Sequence, residues 1–241
     1  MHKTLRRSGK TAIGLVLLLS LHSPARGQVL RYIETSKPEV LNPVEGYKDV
    51  IGVRIIELLF RGLLSQDRNG VWEPEMASPL PVFRQGSTEI IAQLRDGLKW
   101  PDDHALTASD VVFSYEVYMD PTNRYGNRNI FEIFSEVEAL GPSQVKFHLA
   151  RSSATSLRRL GFPLMPQHLI KTTHLDPQKG YSRQPMGSGP FVVTEADDNL
   201  LVFGLNKNYP GKQPSIEGIE LEIGPDQIHT HQLLTGRVHL D

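Results

Sequence analysis

The sequence predicts an α/β protein, and three observations carry that prediction. Runs with strand character stand near both ends of the chain, at residues 28–35 and again at 191–194, 200–205 and 219–223. Between them, residues 49–60 and 107–119 place apolar side chains at helical spacing. Glycine-bearing turn signals separate the remaining half-apolar runs, as hairpins require. No internal repeat appears.

Taken in order, residues 28–35 (QVLRYIET) alternate imperfectly and form a first strand. Residues 36–43 are a loop, because Pro38 and Pro43 hold their predecessors extended. Over 49–60 a helix carries Val53, Ile56 and Phe60 on one stripe, with Ile55 and Leu59 beside it. Residues 62–72 read as strand, Asn69-Gly70 turn, strand, and 73–81 as an irregular connection. The most informative stretch is 94–115 (LRDGLKWPDDHALTASDVVFSY). It reads as a strand, a tight Asp96-Gly97 turn of type I′ with positive φ at both residues, a second strand, a loop and a capped helix. Thr107 is the N-cap and Asp110 its acidic N3 partner. Val111, Tyr115 and Tyr118 share one face, and Asp120-Pro121 ends the helix.

Beyond it, 123–129 is a loop and 137–149 a hairpin turned at Gly141-Pro142-Ser143, with Val145, Phe147 and Leu149 on one face. A short helix is expected over 152–160. A proline-punctuated segment, 162–170, leads into a further helical turn. Residues 174–184 are polar and without periodicity, and read as a linker. After the last three strands, a final helix starts at Pro225, a favoured first position, and ends by Gly236.

Bulk properties narrow the function. Residues 1–27 read as a secretion signal. Lys3, Arg6, Arg7 and Lys10 are its basic start, residues 12–21 an apolar core too short to span a bilayer, and Ala25 and Gly27 the small residues before a cut at Gln28. The whole chain carries 26 Lys+Arg against 27 Asp+Glu. Without its basic leader it is mildly acidic, which argues against a nucleic-acid partner and a polybasic membrane patch. Cysteine is absent; a lipid-anchored product needs one at the cleavage site, so a free periplasmic protein held by its core alone is expected. What remains is long enough for one large domain or two small ones.

The motifs in 94–115, LRDG-x-K-W and LTA-x-DVVFS, resemble those of the family 5 extracellular solute-binding proteins of ABC transporters, the peptide and oligopeptide binders. MGSGPF at 186–191 is similar to the family's Gly-rich turn. NKNYPG at 206–211 resembles a degraded N-x-x-Y-W-G, and LLTGRVHLD at 233–241 resembles L-x-x-G-x-V-D. The resemblance implies the first lobe of a two-lobed clamp that closes on its ligand. Residues 28–48 and 185–241 would form its mixed sheet core, and 49–184 an inserted α/β subdomain. Where the family continues into a second lobe, this sequence stops at Asp241, so a shortened chain is expected. Its implied partners are a peptide or other small solute and an inner-membrane ABC permease. A non-binding truncated product, or a secreted interaction module using the exposed lobe face, are the alternatives.

Five residues are candidate ligand contacts. Glu34, Thr35 and Ser36, with Tyr47 nearby in sequence, stand at the first-strand exit, which is either a cleft wall or an ordinary strand-to-loop junction. Trp100 either reaches the cleft or packs the subdomain core. Asp110 is explained as a helix-start charge. No cofactor and no metal site is expected. His229 and His231 diverge on the predicted terminal helix, His239 follows them, and His168 and His174 sit in loops too far apart for helical pairing. No Gly-x-Ser-x-Gly, His-Glu-x-x-His or phosphate loop occurs, so a catalytic role is not expected.

Overall fold

A computed structural model describes residues 28–83, 86–124 and 128–224. The predicted secretion signal at 1–27, the helix predicted from Pro225, the motif at 233–241 and the terminal histidines lie outside these residues.

Among the described residues, three sheets and two α-helices make the fold. The first strand, β1 (Val29–Glu34), runs parallel to the last, β9 (Gly218–Ile223), in full register from Val29 against Gly218 to Glu34 against Ile223. Next to β9 lies β8 (Leu200–Leu205), then β7 (Phe191–Ala196), both pairings antiparallel, so this sheet is mixed. The chain between β1 and β7 forms α1 (Val50–Leu59), a small β2 (Leu64–Gln66) and β3 (Trp72–Pro74) hairpin, β4 (Glu89–Gln93), α2 (Ala108–Met119), and β5 (Phe134–Gly141) with β6 (Gln144–Leu149). β6 is the centre of an antiparallel sheet ordered β4-β6-β5.

Local chemistry explains these bounds. Asp49 starts α1 by accepting the Gly52 N–H at 2.6 Å, a cap contributing about 1 kcal/mol. On β6, Val145, Phe147 and Leu149 are buried while their neighbours are half-buried, as period-two alternation demands. α2 lies on this sheet, its Tyr115 hydroxyl donating to the Phe134 carbonyl at 3.1 Å. Beneath it Tyr118, Phe131 and Phe162 meet with ring centroids 5.0–5.8 Å apart.

Asp110 does more than cap. One carboxylate oxygen accepts the Thr107 N–H at 2.8 Å; the other accepts the Gln167 N–H at 3.0 Å. One turn on, the buried Ser114 hydroxyl accepts the Met165 N–H at 2.8 Å. Asp110 and Ser114 therefore hold the proline-punctuated segment against α2.

Two expectations need correction. Gly97 adopts φ 68°, but Asp96 does not join it at positive φ, and the strand before the turn does not pair with the one after it. Both edges of that strand are already taken: Leu94 N–H donates to Ser143 and Arg95 N–H to Met76. The chain after Gly97 instead folds on residues 104–106, with Trp100 N–H donating to His104 and Leu106 N–H to Leu98. Asp103, at φ 69°, makes that second turn. Residues 174–184 are likewise no loose linker. Leu175 and Ser182 are buried, and Ser182 accepts the Leu41 N–H at 3.1 Å and the Asn42 amide at 2.9 Å.

The Gly187-Ser188-Gly189 turn fastens the mixed sheet to α1. Gly189 N–H donates to the Leu59 carbonyl at 2.8 Å, satisfying a helix-end acceptor. Ser188 Oγ accepts the Arg61 N–H at 3.0 Å and donates to the Arg61 carbonyl at 2.7 Å. A Cβ on Gly187 would stand 1.9 Å from the Leu59 oxygen. Gly187→Ala should therefore destabilise by about 3 kcal/mol. Gly141→Ala, with nothing within 4 Å, should stay within about 0.5 kcal/mol in urea unfolding. Equal midpoints for the two variants would refute the close-packing account.

Candidate ligand-binding site

β1 and β9 end together, and in open α/β sheets ligands gather outside the carboxyl ends of such parallel strands. At that end the Glu34 carboxylate accepts the Tyr32 hydroxyl at 2.6 Å and the Arg54 guanidinium at 2.7 Å. Arg54 also reaches the Tyr32 hydroxyl and lies over its ring, 5.6 Å from the centroid. Glu34 is thus a paired charge, its partner carried by α1. Thr35 and Ser36 follow it and are exposed.

Lys37 then ties this exit to the β7–β8 turn, donating to the Asp197 carbonyl at 2.6 Å and to the Asp198 carboxylate at 3.2 Å. Beside it opens a groove of about 350 Å³ whose walls include Lys37, Glu39, Arg183 and Asp198. Both signs of charge line one groove, an arrangement that suits a zwitterion.

Tyr47 does not join this groove. It stands at a second cleft of about 470 Å³, with Glu57, Arg61, Trp72, Glu75 and Tyr209. α1 connects the two places, since Arg54 serves Glu34 while Glu57 lines the cleft. Inside the cleft Glu75 accepts hydroxyls from Tyr209 and, at 2.6 Å, from Ser65. Burial, then the bond to Glu75 and its charge, push the Tyr209 hydroxyl up to about 12, against the opposing pull of Arg61. Trp100 is completely buried, which removes it from the accessible contacts and gives it to the core.

Sequence reasoning missed one group. Asp102, His104 and His168 bring ligand-type atoms within 4.8 Å of one another, among the described residues. Asp102 Oδ2 lies 2.7 Å from His168 Nε2 and 3.1 Å from His104 Nδ1. The two imidazoles stack, centroids 4.1 Å apart and planes 19° from parallel. Partial burial works to raise the Asp102 carboxyl, but the bonds from His168 and the His104 backbone outweigh it and hold it below the usual range. No local pattern signals this group, because His168 lies 66 residues beyond Asp102.

Among the described residues, a mixed α/β fold offers a groove lined by both signs of charge beside the ends of a parallel strand pair. The chain belongs to the family 5 bacterial extracellular solute-binding proteins, whose family profile matches residues 72–240. Protein XP55 of Streptomyces lividans is 28% identical over 83% of this chain and 36% of its own length. The glutathione-binding protein GsiB of Shigella dysenteriae is 23% identical over 80% of this chain and 37% of its own. In fold, the chain resembles the oligopeptide-binding protein AppA of Bacillus subtilis, solved with a nonapeptide, at a TM-score of 0.79 and 22% identity over 90% of this chain and 44% of that one. The chain thus spans little more than a third of the length of the curated relatives it matches.

The Tyr209 hydroxyl gives a pH test. Its folded pKa lies above the unfolded value near 10, so the stability it contributes is present below about pH 10 and is lost as pH rises through about 12. Titration followed at the tyrosinate absorbance should show Tyr209 ionising about two units later than exposed tyrosines, within a late phase that burial also gives to Tyr115 and Tyr181. Tyr209→Phe should lower the amplitude of that late phase by one tyrosine, and an unchanged late amplitude would reassign the shift.

Proposed function

We propose that this protein is the substrate-binding component of an ABC transporter, taking a peptide or similar small zwitterion for delivery to a membrane permease. The observation that carries the reading is the end of the parallel β1–β9 pair, where exposed Thr35 and Ser36 and a groove of mixed charge lie together. Family membership supports the general role, and the relatives named for glutathione and an oligopeptide support the solute class. On this reading the chain supplies one wall of the ligand site, with backbone groups at residues 34–36 pairing an extended peptide and Lys37, Glu39 and Arg183 meeting its charges. Residues 1–27 direct it to the periplasm, and it acts there by reversible capture without covalent chemistry.

Mixed peptide pools at millimolar concentration should raise the melting temperature of the folded chain. Arg183→Ala together with Lys37→Ala should weaken a responding peptide by roughly tenfold, about 1.4 kcal/mol, measured by titration calorimetry. Failure of every pool to shift a cooperatively folded sample would overturn the binding role.

A further inference from the structure

The 98–106 turn and the 166–170 segment each bring imidazole to the same carboxylate, and the convergence has the chemistry of a metal site. We propose that Asp102, His104 and His168 bind one divalent late first-row transition ion through Asp102 Oδ2, His104 Nδ1 and His168 Nε2.

Two imidazoles and one carboxylate form a donor set that suits Zn²⁺, Cu²⁺ or Ni²⁺ and is poor for Mg²⁺ or Ca²⁺. Ligand atoms around a tetrahedral ion lie about 3.3 Å apart, given metal–nitrogen bonds near 2.0 Å. The atoms here lie within 4.8 Å of one another, and the two pairs with Asp102 are 2.7 and 3.1 Å. Coordination requires the Asp102–His168 pair to open by about half an ångström, and His104, with 63% of its side chain exposed, has room to turn toward the ion. The backbone around the site is held. Asp102 keeps its other oxygen on the His104 backbone N–H at 3.2 Å, and its side chain is only 25% exposed. His168, 23% exposed, stands on the turn that Asp110 and Ser114 fasten to α2, with the Trp100 ring 6.5 Å away. Without an ion, two ring nitrogens must share one carboxylate oxygen; an ion replaces those two bonds with three coordinate ones.

The site joins two segments more than sixty residues apart, so an ion there cross-links the fold. Three protein ligands also leave a coordination position for water or a solute donor. Asp102 further lines a groove of about 400 Å³ that reaches Met186, Val193 and Thr194.

The test is titration of the purified full chain, freed of metal, with Zn²⁺ by calorimetry and with Co²⁺ by visible absorption. One ion per chain is expected, with a Co²⁺ d–d band and a melting temperature raised by Zn²⁺ and restored by chelator. His104→Ala should lower Zn²⁺ affinity at least about tenfold, since even the loss of an outer-shell partner costs about 10–100-fold. A variant with His229, His231 and His239 all changed to Ala should bind as the parent does. Far-ultraviolet circular dichroism confirms folding, and if His104→Ala does not fold, Asp102→Asn takes its place with the same expected loss. The proposal is overturned if Zn²⁺ does not bind, if His104→Ala leaves affinity unchanged, or if binding disappears with the three C-terminal histidines.

Discussion

The carbonyl of Leu59 has no space in front of it for a side chain, and much of the molecule is arranged around that fact. It ends α1, and Gly189 N–H satisfies it from a turn 130 residues later in the chain. Only glycine at 187 and 189 lets the backbones approach this closely, with Leu59 atoms 1.9 and 2.6 Å from where a Cβ would stand. Ser188 then brackets Arg61 from both sides of its peptide. The contact places β7 against α1, and α1 in turn carries Arg54 to Glu34 and Glu57 to the cleft.

Three motifs that look independent in sequence lock together on this turn. Asn206 is buried, with its amide donating to the Gly189 carbonyl at 2.8 Å and its N–H to Pro190. Asn208 reaches the other way, to the Trp100 carbonyl at 2.7 Å and the Asp103 carboxylate at 3.0 Å. Tyr209 closes onto Glu75. Unpaired polar groups in such a setting cost more than a made hydrogen bond returns, so this loop specifies one docking of the sheet on the rest of the fold. Asn206, Asn208 and Tyr209 of the NKNYPG motif are held in place by these hydrogen bonds.

The binding features differ from this framework in burial and in charge. Lys37 is engaged by the exposed Asp198, so the groove offers a partnered ion at its rim. Exposed pairs of this kind contribute little to stability, and a solute that competes for them displaces only weak interactions. Asp102 and His104 stand on the turn that Asn208 fastens through Trp100 and Asp103.

The amino-acid sequence by itself determined the elements whose signals are local. Period-two alternation marked β6 and its hairpin, apolar spacing marked the first helix and Thr107 the start of the second, and the motifs at 94–115, 186–191 and 206–211 pointed to the family. Tertiary structure decided everything that depends on a distant partner. Asp96-Gly97 looked like a hairpin turn, yet Ser143 and Met76 had already taken the edges of the strand before it. Trp100 and Tyr47 were both candidate contacts, and only packing could bury one and leave the other at a cleft. Residues 174–184 lacked periodicity because their order comes from Leu41 and Asn42, far away in the chain. His168 met Asp102 for the same reason: hydrogen bonds and coordination act over about 3 Å of space, and sequence separation carries no record of which loops the fold will bring that close.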